Sequence, residues 1–114
     1  MSAHPALDLG DLVRSVSLSR QGFSLADYTA LLRGFCDPEV GVELAPEACV
    51  DAPMYVTLML AVRFLTDHLQ GDVYFRVQER GANLQRAQAQ FEILRQMAEA
   101  RTQMLAAART HRSI

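Results

Sequence analysis

Between Met54 and Leu69 the sequence is apolar on nearly every face that a helix can present. A helix hydrophobic all round is one that other elements must surround, so this stretch fixes the architecture. The expected helix runs from Ala52 to about Gln70, with Asp51 as N-cap and Pro53 in its first turn. A separate short helix, Pro46–Val50, precedes it. Arg63, Asp67 and Gln70 fall at i, i+4 and i+7 and share one stripe. Polar groups on a buried helix must meet a cleft, a partner group or water. Thr57 and Arg63 interrupt the apolar run Met54–Leu65 and Asp67 follows it. The run is shorter than the ~20 apolar residues that span a bilayer, so no membrane segment is expected.

With 114 residues and half of them apolar, the chain is expected to be a single helical domain over 1–114, with one modest core. Its net charge of −2, with basic residues spread along the chain, gives no footprint for nucleic acid. All eleven basic residues are Arg. Without Lys, neither a P-loop nor a protein-kinase-like ATP site can be built. Cys36 and Cys49 lack CxxC spacing and read as reduced, partly buried thiols of a cytoplasmic protein. The N-terminus has neither the basic nor the apolar region of a signal peptide.

Residues 1–6 read as a flexible tail. Leu9, Leu12, Val13 and Val16 share one helical face, with Asp8 or Asp11 as cap. That acidic pair also invites a metal reading, but capping is commoner and no third ligand is near. Ser24 starts the next helix as N-cap, Asp27 stands at N3, and Phe23 and Tyr28 occupy the hydrophobic-staple positions. Tyr28, Leu31, Leu32 and Phe35 form its buried face, and Gly34 with Asp37-Pro38 ends it. Gly71 supplies the left-handed turn after the central helix. Residues 73–77 (Val-Tyr-Phe-Arg-Val) are β-prone and predict a short extended segment. Asn83 is expected to cap a long C-terminal helix over 84–109, with an apolar stripe of Leu84, Ala87, Phe91, Leu94, Ala98 and Leu105. The predicted fold class is mainly α, with four to five helices.

Three runs carry a family resemblance: Arg63-Phe64-Leu65-Thr66-Asp67, Gly71-Asp72-Val73-Tyr74-Phe75, and Asn83-Leu84-x-Arg86-Ala87-x-x-Gln90-Phe91. They resemble the C-terminal end of aminoglycoside-phosphotransferase-like kinases, in the N-acetylhexosamine kinase-like branch. Asp8-Leu9-Gly10-Asp11-Leu12-Val13-Arg14 is similar to an earlier segment of that family, and the likeness spans residues 8–98. It implies the helical C-lobe of a kinase-like fold. It also implies that Arg63 and Tyr74 contact a sugar or its phosphate, through a guanidinium fork and a ring with a hydroxyl. Asp67 and Asp72, with Asp11, are expected to form a structural polar network. An ion-pair network of Arg63, Asp67 and Asp72 is the competing, purely structural reading. His68 stands where the family has Tyr and reads as a surface or helix-end residue.

The family uses ATP and Mg²⁺, held by a Gly-containing loop, a Lys, an H-x-D loop with a following Asn, and a metal-binding Asp. None of these is matched: His4-Pro5-Ala6-Leu7-Asp8 has the wrong spacing. No catalytic residue, metal ligand or cofactor is therefore expected in this chain alone, and its status as an enzyme stays open. The first expectation is the acceptor-binding part of an ATP-dependent hexosamine-type phosphotransferase, truncated or split and inactive alone. A sugar would bind only in the site completed by a kinase N-terminal portion. The alternative is a stand-alone helical binding or dimerisation module, self-associating through exposed apolar helix faces.

Overall fold

The computed structural model describes residues 4–37, 39, 43–73 and 79–110. They form α1 (Pro5–Ser19), α2 (Leu25–Phe35), α3 (Pro46–Leu69), α4 (Ala82–Glu99) and α5 (Arg101–Thr110). The fold is mainly α, with five helices and no strand among the described residues. The extended segment expected near 73–77 lies, apart from Val73, outside the described residues.

Local signals at α2 translate directly. The Ser24 side chain accepts a hydrogen bond from the Asp27 N–H at 3.3 Å, and the Phe23 and Tyr28 rings stand 6.0 Å apart. Elsewhere the boundaries move. α1 begins at Pro5, so the tail is shorter than six residues, and neither Asp8 nor Asp11 caps it. The C-terminal helix expected over 84–109 is broken at Ala100. The break lets α5 turn back against α2 and α3, burying Met104 and Ala108 in the same cluster as Leu32, Cys36 and Cys49.

The two helices expected over 46–50 and 52–70 are one helix, with Pro53 inside it. A proline there lacks the N–H that the carbonyl four residues earlier would accept. That carbonyl belongs to Cys49, and the buried Tyr28 hydroxyl donates to it at 2.7 Å. The replacement bond lets α3 continue and ties α2 across its first turns. α1 meets α3 at the same place. A Cβ on Gly10 would lie 2.8 Å from the Ala52 backbone carbon and oxygen, so glycine alone allows this approach. The Thr57 hydroxyl donates to the Pro53 carbonyl at 2.7 Å and lies 3.9 Å from the Met97 sulfur on α4.

α3 is central, but it is not buried all round. Its buried face is mostly small: Ala52, Pro53, Thr57 and Ala61 let neighbouring backbones come close. Tyr55, Leu58, Val62 and Leu69 point outward, 54%, 43%, 47% and 75% exposed. α3 has 24 residues, and an 18-residue stretch of it with mean hydropathy 1.5, a third of it buried, is long and apolar enough to cross a membrane. Length alone thus excludes nothing, contrary to the expectation drawn from the shorter run. Asp51, Arg63 and Asp67 within α3 each carry an insertion penalty of roughly 3 kcal/mol at a bilayer centre.

Replacing Tyr28 by Phe keeps the ring and removes the bond to the Cys49 carbonyl. The Tyr28→Phe chain is expected to lose roughly 1–3 kcal/mol in urea unfolding, with its helical content preserved.

Candidate functional site

α3 ends in a Schellman turn. The Asp72 N–H reaches the Asp67 carbonyl at 2.8 Å and the Gly71 N–H reaches His68 at 3.3 Å. Gly71 and Asp72 both have positive φ, 89° and 63°. Glycine takes that conformation freely, and aspartate is among the few side chains that tolerate it. The turn brings the Asp72 carboxylate beside that of Asp67, which is 4% exposed.

Asn83 joins them. Its side-chain amide nitrogen donates to Asp67 Oδ2 at 2.9 Å and to Asp72 Oδ1 at 3.1 Å. Its oxygen accepts from Arg86 at 3.0 Å, and the Arg86 guanidinium lies 5.8 Å from the centre of the Phe64 ring. Asn83 is therefore not the helix cap expected from sequence. The N-cap of α4 is Gly81, at φ 94°, and Asn83 sits fully buried in the first turn. There the positive end of the helix also favours the two carboxylates. One amide thus clamps the C-terminal end of α3 to the N-terminal end of α4.

Asp67 and Asp72 share the Asn83 amide, and neither Arg63 nor Asp11 joins them among the described residues. Arg63 is exposed and makes no hydrogen bond or ion pair among the described residues. Asp11 pairs with Arg14 at 2.9 Å, on the surface of α1. Arg63 and Asp11 instead line an open groove of about 290 Å³ between α1 and α3, with Leu7, Tyr55, Val56, Met59 and Leu60. Its walls are mainly apolar, with the guanidinium and the carboxylate as its two charges. Tyr74, the second expected acceptor contact, lies outside the described residues. His68 is half-buried, with Nδ1 lacking a hydrogen-bond partner, as does Oε1 of buried Gln90.

A second polar cluster lies at the other end of α3. Cys36 is the C-cap of α2 and Cys49 lies in the first turns of α3. Neither is in a disulfide, both are buried in one cluster with Tyr28, and the Tyr28 hydroxyl bonds the Cys49 carbonyl. Burial pushes the Cys36 thiol up. Burial, and then the neighbouring Cys36, push Cys49 up to about 12. Burial also raises Tyr28. A raised thiol stabilises the fold below its ordinary value of 9.0, and that contribution is lost as pH rises from there through about 12. Urea midpoints should therefore fall over this window, and less steeply in Cys49→Ala.

No group of three or more His, Cys, Asp or Glu among the described residues could hold a metal ion. No protein-family model, curated protein or solved structure matches the chain. Sequence reading missed Asn83 as the bridge, because Asn just before an apolar run is also the ordinary sign of a cap. It missed Tyr55 and its groove because Tyr55 reads as one more apolar residue of a buried helix. Asn83→Ala leaves two neighbouring carboxylates without their shared donor. It is expected to cost about 3 kcal/mol in urea unfolding, more than Arg86→Ala at the rim of the clamp.

Proposed function

We propose that this chain is the helical, acceptor-side portion of an ATP-dependent sugar phosphotransferase of hexosamine-kinase type, inactive by itself. The observation that carries the reading is the Asn83 clamp. The runs that resemble the family are separate in sequence, yet Asp67, Asp72, Asn83 and Arg86 bond to one another. That bonding gives a physical reason for the runs to occur together. Arg63 precedes Asp67 by about one helical turn, so the clamp anchors the segment that carries it. An unpaired guanidinium suits a sugar phosphate, the exposed Tyr55 ring offers a face for stacking, and the Asp11 carboxylate accepts from hydroxyls. These 114 residues contain no Lys, and the groups that hold ATP and Mg²⁺ and move the phosphate would come from a complementary catalytic portion.

The outward face of α3 favours a second reading, a helical docking module. Tyr55, Leu58, Val62 and Leu69 recur at intervals of three, four and seven residues, the seam spacing of a helix that packs on another.

Titration of the isotopically labelled chain with an N-acetylhexosamine 1-phosphate, followed by NMR, tests both. The first reading expects shifts around Arg63, Tyr55 and Asp11 that vanish in Arg63→Ala, with no turnover of N-acetylhexosamine by ATP·Mg²⁺. Robust turnover by the purified chain, or no sugar-phosphate binding, overturns it. Concentration-dependent sedimentation abolished by Val62→Glu, without sugar binding, favours the docking module.

A further inference from the structure

We propose that the groove between α1 and α3 binds a free medium-chain carboxylic acid, with its carboxylate on Arg63 and its chain against the apolar walls. Val56, Met59, Leu60 and Arg63 fall at i, i+3, i+4 and i+7. One face of α3 thus carries three apolar side chains and then a guanidinium. Leu7 lines the α1 side, and the space between the helices is about 290 Å³. That is the small end of ligand pockets, which are mostly apolar with a few polar groups that fix orientation. Arg63 has no hydrogen bond or ion pair among the described residues, whereas Asp11 is already engaged by Arg14 at 2.9 Å. The groove therefore offers one uncommitted charge, and it is positive.

Charge and shape together select the ligand. A guanidinium holds a carboxylate through two parallel N–H donors. From Val56 to Arg63 the helix advances about 10 Å, at roughly 1.5 Å per residue. An extended hydrocarbon covers that distance with roughly eight carbons. A sugar phosphate would engage Arg63, Asp11 and the Tyr55 ring, and would leave Val56, Met59 and Leu60 facing water. An alkyl chain covers them, and removing that surface from water adds to the hold of the charge. A cationic amphiphile meets Arg63 with like charge, and a neutral one leaves the guanidinium unused. This inference does not rest on the phosphotransferase reading, and its test contains no sugar, so either can fail alone.

Titration of the full, isotopically labelled chain with butanoate, hexanoate and octanoate below their micelle concentrations, followed by methyl NMR, tests it. Saturable shifts are expected at Leu7, Val56, Met59 and Leu60, with affinity rising about two- to fourfold per added methylene. Octanoate should bind about tenfold more tightly than 1-octanol, and Arg63→Gln should abolish that preference while leaving octanol binding in place. Arg63 is exposed, so the exchange spares the packing. Shifts confined to the outward residues Leu58, Val62 and Leu69, or an affinity independent of chain length, overturn the proposal. So does equal binding of octanoate and octyltrimethylammonium, or an octanoate preference that survives Arg63→Gln. If the variant loses its helical signal, the comparison of octanoate, octanol and octyltrimethylammonium on the unaltered chain decides by itself.

Discussion

The fold depends on a carbonyl that its own helix cannot satisfy. Pro53 removes the donor that Cys49 would meet in a regular helix, and the Tyr28 hydroxyl on α2 supplies it. Without that bond the proline would favour two shorter helices, the arrangement that the sequence by itself suggests. With it, α3 runs unbroken for 24 residues, roughly 36 Å. It therefore links the thiol pair near one end to the carboxylate clamp at the other. The same turn receives Gly10 of α1, whose missing side chain allows backbone contact with Ala52. A tyrosine, a glycine and a proline from three helices thus fix one junction, and the rest of the packing radiates from it.

Features that need only neighbours in sequence were legible. Ser24 with Asp27, and Phe23 with Tyr28, announce the start of α2 because cap and staple close within one turn. Gly71 announces the end of α3 in the same way. Features that depend on a distant donor were not. Nothing near Pro53 reveals that a hydroxyl more than twenty residues earlier restores its helix. The register of α4 was misread for a related reason. Its buried face carries Asn83, Ala87, Gln90, Ile93 and Met97, and two polar residues on that face turned the apparent apolar stripe toward Leu84 and Phe91. Phe91 is in fact exposed.

The candidate site was legible in part. That Asp67 and Asp72 belong together follows from their positions around the helix end. They share the uncharged Asn83, and a buried amide can serve two carboxylates without bringing a further charge that must itself be paired. Arg63 stands beside the α1–α3 groove with no partner among the described residues. The two polar clusters do different things. The clamp fixes geometry, whereas the groove presents the Arg63 guanidinium and, beside it, an Asp11 carboxylate paired with Arg14.

The outward face of α3 has a thermal consequence. Any partner that covered Tyr55, Leu58, Val62 and Leu69 would do so by removing apolar surface from water. Near room temperature that gain is almost entirely entropic, and it weakens on cooling. A complex made through this face would carry a negative heat-capacity change and loosen near 0 °C. Chilled purification would then release any partner held through this face.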